Sequence, residues 1–221
     1  MVLNGFATYL TEKEANEIKK LPEVKNVYQM PEIEATLYES PQLINADDAW
    51  TITDSWGRLI DGVGTRIAIV DSGVDYTHPM FGNCPRDAFI ANTCRKFSGG
   101  WDFVNNDNDP MDDNGHGTHV AGIAAGYRTS VSISGTTRQL VGIAPGAQLY
   151  VYKVLDGFGR GTSSNAIRAI DHAVGINNDG NLANDIDVLS MSLSAHCEKP
   201  YTANCGPEDE FALAVTRAVE S

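Results

Sequence analysis

The chain carries the run Ile67-Ala68-Ile69-Val70-Asp71-Ser72-Gly73, in which four apolar residues end in an acid. An apolar segment of this length between turn residues predicts a buried β-strand. Functional groups of open parallel sheets lie at the carboxyl ends of the strands, which is where Asp71 would stand. Asp-Ser-Gly is also an ordinary turn sequence, so the run alone fits a plain turn as well as a catalytic acid.

A second motif begins at His116 and reads HGTHVAGIAAG over residues 116–126. Its small apolar residues predict a helix that crosses a crowded core, with His116 at the amino end. A lone histidine is more often structural than catalytic. A histidine at a buried helix start, downstream of a strand-end aspartate, suits acid–base chemistry. We therefore predict that Asp71 and His116 are catalytic.

Together these motifs resemble those of the subtilisin-like serine peptidases. The similarity rests on DSGVD and NGHGTHVAG, in the order Asp before His, and extends over residues 71–75, 114–122, 141–147, 149–155 and 187–193. It covers nearly the whole chain after residue 60. The resemblance implies an α/β fold with a partial doubly wound parallel sheet, and a serine endopeptidase that cleaves proteins by acyl transfer.

The resemblance also implies the role of each residue. In this family a histidine takes the proton of a serine hydroxyl, and a buried aspartate holds the imidazole in the right tautomer. Asp71 would be the orienting acid and His116 the base. His119, three residues further on, would face a different part of the helix surroundings, and we predict a structural role for it.

A candidate nucleophile occurs in Gly161-Thr162-Ser163, which matches the family's catalytic triplet only superficially. In the family the triplet continues Met-Ala, whereas here it continues Ser164-Asn165-Ala166. Thr162 or Ser163 is better interpreted as the N-cap of an amphipathic helix. The oxyanion Asn, the specificity pocket and the serine of the family are absent from these residues. We therefore expect the chain to be truncated before them and inactive by itself.

Substrate-binding residues are expected in two segments. Ser192, Leu193 and Ser194 lie at the carboxyl end of a strand predicted over residues 186–193, where the family pairs an extended substrate by strand addition. Gly157 and Gly159 belong to a loop that resembles the family's substrate-side loop. The expected partner is a protein or peptide substrate.

The amino-terminal residues predict a separate small α+β unit. Thr11 and Glu14 have capping-box spacing ahead of a helix, between strand-like stretches at residues 5–10 and 25–30. This unit resembles the last portion of the inhibitory propeptide of subtilisin-like enzymes, so the chain's own propeptide is an expected partner. A helical hairpin packed on the main domain is the alternative.

The resulting domain assignment has three parts. Residues 1–38 are a propeptide remnant, 39–60 a junction and the start of the mature enzyme, and 61–221 the amino-terminal half of the catalytic domain. The alternative is a non-catalytic function. The chain would then be a binding or inhibitory module that acts against an intact relative through its propeptide-like segment.

Composition and cysteines bear on partners and localisation. A formal net charge of −13 argues against nucleic acid or an anionic membrane as a partner, and no apolar run is long enough to span a membrane. Sequence proximity favours the pairs Cys84–Cys94 and Cys197–Cys205 among three connectivities. Paired cysteines indicate secretion. Since no signal peptide is present, either the start is also truncated or the thiols are free.

Metal chemistry is the main rival to the triad. Acids surround the two histidines of the second motif, at Asp107, Asp109, Asp112 and Asp113. The spacing lacks the Glu of His-Glu-x-x-His, and an EF-hand fails because Pro110 takes the obligatory glycine position. We predict no catalytic metal and no required cofactor. A structural calcium ion, in this loop or within residues 177–187, stays open.

Overall fold

The computed structural model describes residues 10–25, 27, 40–133, 135–177, 180–181, 185–194 and 210–220. The chain divides into two compact units, Met1–Ala35 and Thr36–Ser221. In the first unit, helix α1 (Glu12–Ile18) begins with the predicted capping box. Thr11 Oγ1 accepts a hydrogen bond from the Glu14 backbone, and the Glu14 carboxylate accepts one from the Thr11 backbone.

The predicted strands of the first unit fall mostly on residues outside the described part of the chain. Only Leu10 of residues 5–10, and Lys25 and Val27 of residues 25–30, are described. The strand–helix–strand prediction therefore stays a prediction, apart from its helix.

The second unit alternates strands and helices. Its strands are β1 (Arg66–Asp71), β2 (Phe97–Asp102), β3 (Thr129–Ile133), β4 (Thr136–Leu140), β5 (Gln148–Lys153) and β6 (Val188–Ser190). Its helices are α2 (Ser40–Leu43), α3 (Ala46–Ala49), α4 (Arg86–Ile90), α5 (His116–Ala125), α6 (Ser163–Asn177) and α7 (Glu210–Glu220), with a 3₁₀ turn at Pro79–Phe81.

Four strands form a parallel sheet in the order β2-β5-β1-β6. β3 and β4 form a separate antiparallel hairpin. The two faces of β1 belong to different cores, because successive side chains of a strand point to opposite sides. Ile67 and Ile69 pack in a cluster with Ala121 of α5, whereas Ala68 and Val70 pack in a second cluster with residues of α6. Helices thus cover both faces of the sheet, as the α/β prediction requires.

Several predicted elements are present with shifted bounds. The apolar run at residues 67–70 is part of β1 (Arg66–Asp71), and the helix predicted over residues 116–126 is α5 (His116–Ala125). The strand predicted over residues 186–193 is shorter than predicted, because β6 pairs with only three residues of β1. In the described part of the chain, the helices are too short or too polar to cross a bilayer.

Two local cysteine pairs were predicted, and the structure describes one of them. Cys84 and Cys94 form a disulfide that closes a loop containing α4. Cys197 and Cys205 lie outside the described residues, so their pairing stays a prediction.

Candidate active site

β1 ends with Asp71 at the carboxyl edge of the sheet, where its side chain is fully buried. Asp71 Oδ1 accepts a hydrogen bond from the Ser72 backbone N–H at 2.7 Å and lies 2.7 Å from Nδ1 of His116. A buried carboxylate needs such donors because water does not reach it. The predicted acid and base are therefore in direct contact.

His116 is the first residue of α5, and its side chain is 48% exposed. Because Nδ1 faces an acidic acceptor, Asp71 favours the tautomer in which Nδ1 carries the proton. Nε2 is then the ring nitrogen with a lone pair. A half-exposed imidazole in this tautomer can accept a proton from a hydroxyl group that approaches Nε2.

Two glycines allow α5 to begin this close to β1. A Cβ atom on Gly117 would collide with the carbonyl oxygen of Gly73 and lie 3.2 Å from Cβ of Asp71. Gly73 has a φ of +100°, a backbone conformation that residues with a side chain rarely adopt. The short contact between the strand end and the helix start depends on both residues.

Asp112 organises the loop ahead of α5. Five donors reach its carboxylate at 2.5 to 3.0 Å: Ser72 Oγ, the backbone N–H groups of Asn114, Gly115 and Thr118, and Thr118 Oγ1. Burial raises the pKa of Asp112, but the hydrogen bonds stabilise the carboxylate more and hold its pKa below the ordinary value. The ionised carboxylate therefore fixes the backbone from which His116 projects.

Ser72 connects this loop to the acid. Its hydroxyl donates to Asp112 and accepts a hydrogen bond from the backbone N–H of Gly117 at 2.9 Å. Ser72 is fully buried, so its hydroxyl is a structural link and does not face a substrate.

A cleft of about 310 Å³ lies beside His116. It is lined by Asn114, His116, Leu155, Gly159, Ser192, Leu193 and Ser194. Four of the five predicted substrate-binding residues therefore lie around one space with the predicted base. Gly157, the fifth, is outside the lining, and its carbonyl accepts a hydrogen bond from Asn114 Nδ2 at 3.1 Å. A larger cavity of about 450 Å³ lies elsewhere, next to the disulfide.

The Gly-Thr-Ser triplet has the capping role that the sequence predicts. Ser163 is the first residue of α6, and Thr162 Oγ1 accepts a hydrogen bond from the backbone N–H of Asn165 at 3.2 Å. Within the described ranges, His116 has no hydrogen bond to a serine hydroxyl.

The acidic residues around the second motif bind protein donors. Asp109 accepts hydrogen bonds from Tyr76 and Arg86, and Asp113 pairs with Lys153. Over the described residues, His, Cys, Asp and Glu form no group of three that could hold a metal ion. His119 is exposed on α5.

Sequence reasoning missed the residues that support the pair. The sequence indicates Asp112 only as a candidate metal ligand, although its position four residues before His116 also fits a loop-organising acid. Lys153 carried a clearer signal, since a lysine within a strand that is otherwise buried is unusual. Asn114 belongs to the second motif, but its contact with Gly157 joins residues that are distant in sequence.

Comparison with protein families gives two matches. Residues 62–219 match the family described as "Subtilase family", and residues 2–34 match "Peptidase inhibitor I9".

Sequence and structure comparisons with individual proteins also give matches. Thermitase of Thermoactinomyces vulgaris is 38% identical over 60% of this chain and 39% of its own length. Subtilisin E of Bacillus subtilis is 32% identical over 99% of this chain and 47% of its own length. The crystal structure of a cold adapted subtilisin-like serine proteinase is 27% identical, with a TM-score of 0.50 over 72% of this chain and 44% of that one. The chain thus spans less than half the length of these relatives.

Proposed function

We propose, from the premise that this chain belongs to the subtilase family, that Asp71 and His116 are the acid and the base of a serine endopeptidase. The observation that supports this most strongly is the 2.7 Å contact between Asp71 Oδ1 and His116 Nδ1 beside an open cleft. The family match over residues 62–219 includes both residues.

The chemistry follows from the tautomer that Asp71 favours. His116 Nε2 would take the proton of a serine hydroxyl as its oxygen attacks the scissile carbonyl carbon, and would then return that proton to the leaving amine. Asp71 would hold the ring in place and stabilise the imidazolium that forms between these steps. No cofactor takes part in this scheme.

The serine and the oxyanion donor are, in this proposal, outside the 221 residues. The described serines near the pair are a buried link, Ser72, and two residues of the cleft lining, Ser192 and Ser194. Loss of an oxyanion donor alone typically lowers the rate by about 10²- to 10³-fold, and without a nucleophile no acyl-enzyme forms. The chain alone is therefore expected to be inactive.

The substrate would be an extended segment of protein. Residues 192–194 follow β6 and line the same cleft as His116, so their backbone would offer an edge for strand addition. Gly159 would contact the same segment, because it also lines the cleft, and Gly157 would support Asn114 of that lining through its carbonyl. Neither nucleic acid nor a membrane is an expected partner of a chain with a net charge of −13.

The first unit would act as a propeptide, and the whole protein would be secreted. Residues 2–34 match the peptidase inhibitor family, which supports an inhibitory segment at residues 1–38, followed by a junction at 39–60 and the catalytic part from 61 onward. The Cys84–Cys94 disulfide supports a location in an oxidising compartment, where such bonds persist. One relative is named "Minor extracellular protease Vpr".

A fusion enzyme tests the proposed function. The chain is joined to the carboxyl-terminal part of subtilisin E that contains the serine, and casein hydrolysis is measured. We expect hydrolysis that falls about 10⁴-fold in Asp71→Asn and at least as much in His116→Ala, since this is the loss typical of these groups in serine peptidases.

His119→Ala is the matched control, because His119 is exposed on the same helix and should leave hydrolysis nearly unchanged. A fusion that melts cooperatively and stays fully active in His116→Ala would contradict the proposal. Hydrolysis by the unfused chain that depends on His116 would contradict the inactivity of the chain alone.

A non-catalytic inhibitory module is the second candidate, and one observation favours it: residues 2–34 match an inhibitor family. If the chain is such a module, it slows an active subtilase, and a variant that lacks residues 1–38 does not. If neither chain slows the protease at micromolar concentration, the inhibitory function is excluded.

A further inference from the structure

Lys153 is the last residue of β5, and its side chain is only 1% exposed. In the parallel register of the sheet it lies directly beside Asp71 on the neighbouring strand. A buried ammonium group is costly unless hydrogen bonds and an opposite charge compensate for the lost water. Its partners are therefore expected to be fixed.

The ammonium group of Lys153 has two such partners. Nζ donates a hydrogen bond to the carbonyl oxygen of Ser72 at 2.7 Å, and it forms an ion pair with Asp113 Oδ1. Ser72 directly follows Asp71, and Asp113 lies three residues before His116. One buried cation thus joins the segment that carries the acid to the segment that carries the base.

A second buried lysine provides a contrast. Lys96 is also 1% exposed, and its ammonium group donates to the carbonyl oxygens of Ala125, Pro145 and Ala147 at 2.8 Å each. Ala125 is the last residue of α5, so Lys96 supports the opposite end of the helix that begins with His116. Its hydrogen bonds go neither to Ser72 nor to Asp113. The two lysines match in burial and differ in what they hold.

The exposure of Asp113 adds a functional argument. Its side chain is 57% exposed, so an ion pair with a buried lysine there does not serve to fill the core. A Cβ atom on Gly157 would lie 3.3 Å from the carboxyl carbon of Asp113, which places Asp113 against the loop next to the cleft. The pair therefore fixes a loop on the surface of the candidate active site.

We propose that Lys153 is a positioning residue for the Asp71–His116 pair. By holding the Ser72 carbonyl and the Asp113 carboxylate together, it sets the separation between the carboxyl end of β1 and the amino end of α5. This inference rests on the proposed function, because positioning matters only if the pair moves protons. Lys153 itself does not line the cleft and forms no hydrogen bond with His116.

The tautomer of His116 in the intact chain tests the proposal. Nitrogen NMR of histidine-labelled protein reports which ring nitrogen carries the proton, and His116→Ala identifies the signals among five histidines. In the wild-type chain the Nδ1–H form should exceed the Nε2–H form by about tenfold, as expected for a hydrogen bond to a charged acceptor. Lys153→Met, which keeps the length of the side chain but not its charge, should lower this ratio to about threefold or less.

Asp113→Asn and Lys96→Met complete the design. Asp113→Asn leaves the buried ammonium group of Lys153 without its opposite charge, so it should lower both the stability of the protein and the tautomer ratio. Lys96→Met removes an equally buried cation, and the ratio should stay at the wild-type value even though the protein becomes less stable.

Two results would overturn the positioning role. One is a wild-type ratio in both Lys153→Met and Asp113→Asn. The other is an equal loss in Lys96→Met, which would mean that any loosening of the core disturbs the pair. Failure of the proposed function has a different result. Lys153→Met then lowers the tautomer ratio as expected, but the folded fusion enzyme does not hydrolyse casein.

Discussion

At the scale of single residues, Asp112 is the acid on which the loop before His116 depends. We expect Asp112→Asn to lower the free energy of unfolding by about 1–3 kcal/mol at pH 7. The substitution replaces a charged carboxylate, which accepts several hydrogen bonds, with a neutral amide that has only one acceptor oxygen. Urea unfolding followed by circular dichroism measures this. An unchanged free energy of unfolding would show that the loop does not need the carboxylate.

The same residue predicts a dependence on pH. The pKa of Asp112 is lower in the folded protein than its ordinary value, so the unfolded chain binds the proton more readily. The contribution of Asp112 to stability is therefore fully present above the ordinary pKa of about 3.9 and is lost as the pH falls through the folded value. The difference between wild type and Asp112→Asn should shrink below pH 4, and a difference that grows there would contradict the assignment.

The sequence predicts some residues of the candidate site and misses others. Asp71 and His116 could be predicted because each stands at the end of an apolar segment with a recognisable pattern. The roles of Lys153 and Asp112 depend on contacts with Ser72, which is 81 and 40 positions away. No local pattern encodes such contacts.

At the scale of elements, the approach of α5 to β1 brings the acid and the base together. Gly117→Ala should destabilise the protein by about 1–3 kcal/mol, since the added methyl group collides with the Gly73 carbonyl and the backbone must move. Thermal unfolding measures the effect.

Gly175→Ala in α6 is the matched control for this substitution. Nothing lies within 4 Å of a Cβ atom at Gly175, so the change should be neutral or stabilise by about 0.5–1 kcal/mol through helix propensity. If Gly117→Ala is as mild as Gly175→Ala, the helix does not depend on the close approach.

Element types were predictable, whereas some element lengths were not. The apolar run at β1 identifies a buried strand, and the capping patterns at Thr11 and Thr162 identify helix starts. β6 is shorter than the strand predicted over residues 186–193 because only residues 188–190 pair with β1. Which residues of a strand pair with a neighbour depends on the tertiary structure and not on the strand's own sequence pattern.

At the scale of the whole molecule, the Cys84–Cys94 disulfide is expected to stabilise the fold. Reduction of Cys84–Cys94 should lower stability by about 2–3 kcal/mol, because the bridge restricts the unfolded chain around a short loop. The Cys84→Ser/Cys94→Ser variant should melt like the reduced protein if this bridge accounts for the effect. A variant that melts like the oxidised wild type would show that the bridge is dispensable.

The pairing of Cys197 with Cys205 is a separate prediction. Alkylation of the unfolded chain without reductant should modify no cysteine if both bridges are formed, and mass spectrometry counts the modified thiols. Two modified cysteines at positions 197 and 205 would contradict the second bridge and weaken the argument for secretion.

The fold class could be predicted because the motifs at Asp71 and His116 resemble those of a family with this fold; in the structure a helix lies between consecutive strands of the four-stranded sheet. The organisation of the first 38 residues was less predictable from the residues alone, since a capped helix between two short stretches fits a hairpin as well. The inhibitor-family match over residues 2–34 adds support there that composition and periodicity do not.

The measurement that tests the central claim most directly is the tautomer of His116 in the unaltered chain compared with Asp71→Asn. If Asp71 orients the imidazole, the Nδ1–H form dominates by about tenfold in wild type and loses that dominance in Asp71→Asn. A dominant Nε2–H form in the wild-type chain, or the same ratio in both proteins, would contradict the account of Asp71 and His116 as an acid–base pair.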